Sequence, residues 1–542
     1  MKNKILLIML VLPLVILAAC QPLASEQNLV TGRATTTSSG EEKTVTSPPI
    51  NIEVKDSDEE PEEIELPSLM GWGAETQGAW GHPDGIEPKI LIVDRLTNDP
   101  SDGDPETGKG SFFWALSQEY PRVIVFEVGG IIDMNWTRYG STHGRNRNGQ
   151  FDINNPYVTV AGHTAPSPGI TLIKGGLWIW THDVIIQHIA IRPGAHPSLM
   201  DTITEDNPDG HNFTNLMSAI AVRGGQFDII VDHCSFTWGT RYHINAFEDH
   251  DIWATGRITF SNNIIGETVR GGRGDGGTGG FFIGHDLALV KNLWAWNFHR
   301  NPHLSSSQGV YANNFIRGMS ISTTYGRPSV TFEGNYGVWG NHPSPLSGRR
   351  LYWLNSDSMP RVYFEDNELY RSDWETPITP IWTISHGEEP GVREIIHLEE
   401  REQWHDTIEL VLAEDLLDYL DINVGARPWD RDAIDQGIID KVRYGTGKIQ
   451  FAYVEEWEPD KVYSMRNAVN YEVNGTLYTF HALQHQFSGV PPTNTEYWQQ
   501  LWPASENWDE SWYPDHEPTY REFNPDEWDL DAEGVEPKKW PI

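Results

Sequence analysis

The sequence predicts an all-β chain wound into a right-handed parallel β-helix, with a short helix and a small β module towards its C-terminus. Three observations carry this. Short β-rich runs follow one another from Pro156 to about Leu369, among them Tyr157-Val158-Thr159-Val160, Asp183-Val184-Ile185-Ile186, Ile229-Ile230-Val231, Arg257-Ile258-Thr259-Phe260 and Ser329-Val330-Thr331-Phe332. Gly and Pro punctuate them, and no helix-period pattern of useful length intervenes. A polar residue recurs after the runs, at His188, His233, Asn263, Asn292, Asn314, Asn335 and Asn367, at intervals of 45, 30, 29, 22, 21 and 32 residues. Hairpin signals of the Asn-Gly or Asp-Gly kind, which an antiparallel sandwich requires, are scarce between these runs.

A floor of 21–22 residues with variable excess is what a coiled sheet produces: each turn needs a fixed minimum of short strands, and the surplus becomes loops. An inward polar residue at every turn can hydrogen-bond its counterparts above and below, satisfying bend backbone groups that an apolar side chain leaves unpaired. In this reading His233 belongs to the inward column, and Cys234 is a small buried apolar residue.

The 542 residues are 38% apolar and 11% aromatic, with 50 Gly, 35 Pro, 23 Trp and two Cys. The length suits roughly two to four domains with a sizeable core. Two cysteines exclude a disulfide scaffold and any Cys-rich metal site. The net charge of −38 argues against nucleic acid as a partner. Residues 41–65, 391–421 and 504–542 account for −25 of it, so the middle of the chain stays open to an anionic ligand.

The N-terminus has the layout of an export signal. Lys2 and Lys4 precede an apolar run from Ile5 to Ala19, ending in Leu17-Ala18-Ala19-Cys20. A Cys directly after small residues resembles a bacterial lipobox, which implies lipidation at Cys20 and anchoring by acyl chains. Residues 21–67 are Ser/Thr/Pro-rich and acidic, the composition of a disordered tether. The expected product is an exported, cell-surface or outer-membrane lipoprotein, monomeric, with residues 1–20 as its signal peptide.

Towards the other end, Ile408, Val411, Leu412, Leu416 and Leu420 fall near i, i+3, i+4 spacing, so about 406–421 reads as an amphipathic helix covering an end or flank of the coil. Residues 451–503 crowd Tyr463, Tyr471, Tyr478, Phe480, Tyr497, Trp498 and Trp502 around Asn474-Gly475 and Pro491-Pro492. This segment resembles the small carbohydrate-binding modules of chitinases; the aromatics serve equally as a tiny domain's core. Tyr497 and Trp498 are neighbours, so in a strand only one faces inward. An acidic Trp-rich tail, 504–542, follows.

Seven segments, in order, resemble the bacterial pectate lyases of polysaccharide lyase family 1. They are Gly71-Trp72-Gly73-Ala74-Glu75-Thr76, Pro121 to Gly130, Asn155 to Pro166, Asp183 to Gly194, Val231-Asp232-His233-Cys234-Ser235-Phe236-Thr237-Trp238, His299-Arg300-Asn301-Pro302, and Gly425 to Asp435 with Arg443-Tyr444-Gly445-Thr446-Gly447. The likeness covers about residues 70–450, within an expected coil domain of 68–450. It implies β-elimination of polyuronides, polygalacturonate foremost, usually with calcium. Removing the C5 proton of a uronate needs its carboxylate neutralised, because the carbanion's charge spreads there; a metal ion or clustered cations can do this.

By its match to the family's Arg-x-Pro motif, Arg300 takes the place of the Brønsted base. Arginine is a poor base by its reference pKa, so this role rests on the resemblance. Asp232 takes the place of a calcium carboxylate. Two other family acids are replaced, one by Ser218 and one by Arg241, and a second expected Arg is Ser305. Calcium, which takes 6–8 oxygens, would then draw on Asp232 with Asp206 or Asp209, from a loop that also holds Asp201 and Glu205. Alternatively Arg241, Arg270 or Arg273 pairs directly with the substrate carboxylate, with Lys291 and His299 as further substrate contacts.

Two other classes compete. A galacturonan hydrolase on such a coil relies on clustered aspartates, and no Asp-Asp pair occurs in the chain. The alternative to a lyase is a non-catalytic, lipid-tethered, glycan-binding β-helix.

Overall fold

The computed structural model describes residues 68–137, 149–196, 217–247, 255–270, 277–305, 307–318, 321–323, 328–339, 352–355, 359–379, 382–385, 395–448, 450–451, 454–463, 467–484, 486–503, 508–531 and 534–537. The expectations for Cys20, the tether, Asp201, Glu205, Asp206, Asp209 and Arg273 fall outside the described residues.

The β-rich runs pair with one another one turn apart. Val184–Gln187 lies parallel to Val158–Ala161 on one side and to Ile229–Asp232 on the other, in unbroken register. A single turn passes from Val158–Ala161 in a first sheet to Ile170–Ile173 in a second, to Gly176–Ile179 in a third, and back to the first at Val184–Gln187. Among the described residues the three sheets hold 13, 10 and 9 strands. This is a parallel β-helix, not a sandwich.

Strand alternation sets what faces in. Across the third sheet Ile153, Ile179, Val222, Ala246, Phe282 and Leu304 stand in register and all join the buried core. Their neighbours Asp152, Trp178, Ala221, Asn245, Phe281 and His303 form the adjoining column, which the two-residue period turns outward. Each buried Ile, Leu or Phe in the interior contributes about 1.5–3 kcal/mol. Helix α1 (Phe112–Ser117) is capped by Ser111 and buries Phe112, Phe113, Trp114 and Leu116 in the same core, closing its N-terminal end.

The asparagine column forms a ladder. Asn292 Oδ1 accepts from the Asn263 N–H at 3.0 Å, and its Nδ2 donates to the Phe260 carbonyl at 2.9 Å. Asn314, Asn335 and Asn367 repeat both bonds one turn on. At the other end the place belongs to Cys234, whose N–H donates to Asn263 Oδ1 at 2.8 Å and whose thiol approaches the Ile186 carbonyl at 3.7 Å. This corrects the expectation that His188 and His233 share the column. They sit one residue earlier, at bends with φ of +58° and +46°, in line with Asn262, Lys291, Asn313, Gly334 and Asp366, all at positive φ. Asn, Asp, His and Gly populate that conformation most readily, hence their concentration at the bend.

This bend column is where the later part of the chain docks. His188 Nδ1 meets the Ala426 carbonyl at 3.0 Å, Tyr419 donates to Asn262 Oδ1 at 3.2 Å, and Asp366 accepts from the Ala413 N–H at 3.0 Å. Asn313 donates to the Val411 carbonyl and accepts from its N–H, at 2.7 and 2.8 Å. That last pair explains why the expected helix over 406–421 is shorter. It consumes the backbone groups a helix would use, so Ile408 packs as irregular chain on the first sheet with Ala288, Val290, Val310 and Ala312. Only α2 (Leu416–Asn423) is helical, after a 3-10 turn at Ala413–Asp415. A further helix, α3 (Ala433–Tyr444), is capped by Asp432 and stopped by Gly445 at φ +67°. Together α2 and α3 cover the second sheet's outer face, over Ile264, Leu293, Phe315 and Val338.

The following segment forms its own antiparallel sheet from Ala468–Val473, Thr476–Ala482 and Trp498–Pro503, with a hairpin at Asn474-Gly475. Tyr463, Val469, Phe480, Phe487 and Trp498 make its core, so several of its aromatics hold the module together. Trp498 is buried and Tyr497 half-buried, as alternation requires. The tail then runs back along the coil. Trp508 and Tyr513 pack over Gly194, where φ is +71° and any Cβ would lie 2.1 Å from the Tyr513 hydroxyl. Thr519–Tyr520 adds an antiparallel strand to Val128–Gly129, covering an edge of the second sheet. Among the described residues no helix is long and apolar enough to cross a membrane.

Candidate functional site

The outer face of the third sheet carries the site. Its strand Thr278–Phe282 is held by two backbone carbonyls from opposite sides: Thr278 N–H donates to Arg241 O at 2.9 Å, and Gly280 N–H to Arg300 O at 2.8 Å. Arg241 and Arg300, 59 positions apart in the chain, thereby flank one strand. Their side chains meet at Tyr242. Arg300 Nη1 donates to the Tyr242 hydroxyl at 2.7 Å, and the guanidinium carbons of Arg300 and Arg241 lie 5.6 and 5.3 Å from its ring centre. All three residues are half-buried, open enough to meet a ligand. Among the described residues Arg300 has no carboxylate partner.

An aromatic track continues from this point. Tyr242 stacks on Phe281 with centroids 5.7 Å apart, and Phe281 meets Phe247 edge-on at 5.0 Å. Arg223 lies 3.7 Å over the Phe247 ring and 5.1 Å from that of Trp178. Three rings thus follow one another before Arg223 and Trp178, and of these groups Phe247, Arg223 and Trp178 are buried. Behind Phe281 stands His303, buried, its pKa pushed down to about 3 by burial and by the Arg300 charge. It stays neutral and adds no competing cation.

The other sequence-derived candidates are placed elsewhere. His299 is half-buried beside the site, its ring 5.4 Å from Phe298 and its backbone bridged to Thr278. Arg270 is buried: it stacks at 3.7 Å on Phe298 and its Nη1 meets His481 of the C-terminal module at 3.2 Å. It joins module to coil beside Phe298, two positions before Arg300. Lys291 is not at the site. It belongs to the bend column between first and second sheets, with its ammonium 4.5 Å over Tyr419, and burial lowers its pKa.

Asp232 is also on that far corner. Its carboxylate accepts from His233 Nδ1 at 2.6 Å, Ser261 Oγ at 2.7 Å and Asn262 Nδ2 at 3.0 Å, and it is 1% exposed. Burial pushes its pKa up, but His233, Ser261 and Asn262 outweigh that and hold it below the usual range. Its lone pairs are spent on the protein, so it does not fit a calcium site. Ser218, at one of the replaced acid positions, is buried with its hydroxyl 3.5 Å from Asn245 Nδ2. Among the described residues no group of three His, Cys, Asp or Glu is arranged to hold a metal ion. The described donors therefore do not fit calcium, and no step is assigned to it.

Reading the chain alone missed Tyr242, Phe281, Phe247 and Arg223. The signal was present but indirect: counting register from one turn to the next puts Asn245 beside Phe281 and Tyr242 beside Thr278.

No family model and no curated protein sequence matches the chain. Several solved structures do. A pectate lyase from Bacillus subtilis is 15% identical, with a TM-score of 0.41, over 66% of this chain and 98% of its own. A pectate lyase bound to a hexasaccharide is 16% identical, TM-score 0.42, over 67% and 98%. The major allergen of cedar pollen is 15% identical, TM-score 0.42, over 66% and 92%.

Proposed function

We propose that this protein is a polysaccharide lyase that cleaves a uronic-acid polymer by β-elimination, with polygalacturonate as the first substrate to test. The observation that carries the reading is the pair Arg241 and Arg300, both on the Tyr242 ring, with Arg300 half-exposed and lacking a carboxylate partner among the described residues. Two guanidiniums brought to one tyrosine ring suit a carboxylate, and guanidinium forks bind one bidentately. Neutralising that carboxylate is what makes the C5 proton of a uronate removable. Half-buried Phe281 beside Tyr242 adds an aromatic face suited to the apolar C–H surface of a sugar, while Phe247, Arg223 and Trp178 are buried and support the sheet. In this reading Arg300 belongs to the catalytic machinery, with Arg241 and His299 as substrate contacts.

The protein is read as exported and lipid-anchored at Cys20, acting on polysaccharide outside the cell, with the C-terminal module as a carbohydrate-binding accessory. The test is incubation of the purified chain with polygalacturonate, alginate and related polyuronides, with and without chelator. Ultraviolet absorbance of the new C4=C5 double bond reports lyase activity. Saturated reducing ends instead mean a hydrolase, and binding without cleavage means a surface glycan-binding protein. Either of those outcomes overturns the proposal.

A further inference from the structure

We infer that Arg317 and Trp296, beneath the Gly445-Thr446-Gly447 turn, form a buried site for a small monovalent anion of the chloride class. Arg317 stands on the strand Phe315–Gly318 of the second sheet, under the end of α3, and the inference is independent of the lyase reading. How the buried arginines are partnered is the starting point. Arg122 donates to the carbonyls of Ala115, Leu116 and Asn155, Arg192 to Asp432 and Asp435, and Arg427 to Asp430 and the Ala165 carbonyl. Arg317 is equally buried, at 2% exposure, yet makes no hydrogen bond or ion pair among the described residues. Its Nε and Nη1 are shielded from water and unsatisfied. Burial alone pushes its pKa down, to about 10, so it stays cationic at neutral pH. Burying a charge without a partner is strongly unfavourable, so a counter-ion at Arg317 stabilises the fold.

Two rings and a helix end offset that charge only in part. The guanidinium carbon lies 5.3 Å from the ring centres of both Trp296 and Trp374, whose faces attract a cation but accept an N–H poorly. The C-terminus of α3 carries about half a negative charge. Its Lys441 carbonyl is already taken by the N–H groups of Gly445 and Thr446. About half a positive charge is left to balance, which suits a monovalent anion better than a divalent one.

The turn above completes the cradle. Gly445 stands at φ +67°, and a Cβ there would lie 2.8 Å from Arg317 Nη2; one on Gly447 would fall on Trp296 Nε1. The Trp296 N–H is itself buried and unpartnered among the described residues. Donors of both side chains thus face one three-residue turn, at the two positions where the chain has glycine. Gly445 and Thr446 are exposed, so only this short turn separates the donors from solvent, a path for a small ion and not for a sugar.

The test follows thermal unfolding at constant ionic strength while chloride replaces gluconate, in the wild-type chain, Arg317→Gln and Trp296→Phe. Linkage makes the midpoint climb with the logarithm of chloride concentration, by about 3 °C at roughly a hundredfold excess over the dissociation constant. Arg317→Gln is expected to lose the climb. Trp296→Phe keeps a ring without the N–H and should need more chloride for the same midpoint. Bromide, which quenches indole fluorescence, reads the site in the wild-type chain should Arg317→Gln fail to fold. It is expected to add a saturable component that excess chloride relieves and sulfate does not. An equal climb in Arg317→Gln, or a midpoint indifferent to the exchange of gluconate for chloride, overturns the inference. So does bromide quenching that stays linear, or that sulfate relieves as well as chloride.

Discussion

Replacing Asn292 by Leu tests whether the ladder holds the coil by hydrogen bonding or merely by filling space. Leu has the same number and branching of side-chain heavy atoms, is apolar and is somewhat bulkier, so no cavity opens. Two backbone groups lose their side-chain partner: the Asn263 N–H, now held at 3.0 Å, and the Phe260 carbonyl, held at 2.9 Å. Asn292 is fully buried, so water cannot replace either bond. At about 1–3 kcal/mol for each orphaned buried group, the expected loss is roughly 2–6 kcal/mol. Asn367 makes the matching bonds to Asn335 N and Phe332 O, but it is half-buried at the ladder's far end. Asn367→Leu should therefore cost clearly less. The assay is urea unfolding followed by tryptophan fluorescence, comparing midpoints at unchanged slope. Equal losses at the two positions, or an Asn292→Leu variant as stable as the wild-type chain, would refute the reasoning.

Further expectations concern pH, the site and the module. Burial pushes His243 and His303 down to about 3 and, with help from His163 and His233, His188 well below its ordinary value. The unfolded chain takes up those protons near pH 6.5 while the folded chain does not, so stability falls as pH drops from about 6.5 towards 3, by about 1.4 kcal/mol per unit for each histidine. Urea midpoints measured at pH 7 and pH 5 check this, and His243→Asn should flatten the dependence. Arg241→Ala removes one of the two guanidiniums at Tyr242 and should lower kcat/KM on polygalacturonate about tenfold or more, the worth of one charged hydrogen bond of about 1.5–3 kcal/mol. Arg270→Ala removes the His481 contact, a side-chain link between coil and module, together with the cation stacked on Phe298 of the coil. It should speed proteolytic release of the module; release at the wild-type rate would show that Arg270 is not what joins them.

Much of the architecture was legible in the chain because it repeats. A β-run with a polar residue behind it recurs at an interval no shorter than one turn, and the parallel ladders follow that count. Asn263 to Asn367 were identifiable because an inward amide both accepts from and donates to the backbone of a buried bend. The His188 and His233 assignments failed by one residue for a related reason. A bend needs both a left-handed residue and an inward one, and histidine suits the first; the pattern alone does not distinguish two adjacent polar sites. The helix over 406–421 failed because Asn313, about a hundred residues away in the chain, takes the Val411 backbone groups. The site was legible only in part. Arg300 and Arg241 were named from local motif likeness, but that they share one tyrosine ring depends on how the Thr278–Phe282 strand separates them. Asp232 and Lys291 were equally plausible in one dimension, and winding the chain put them on a different corner. Local spacing decides which residues turn inward at each coil. Which outward residues become neighbours depends on the length of the loops between coils, and that is settled only when the chain is wound.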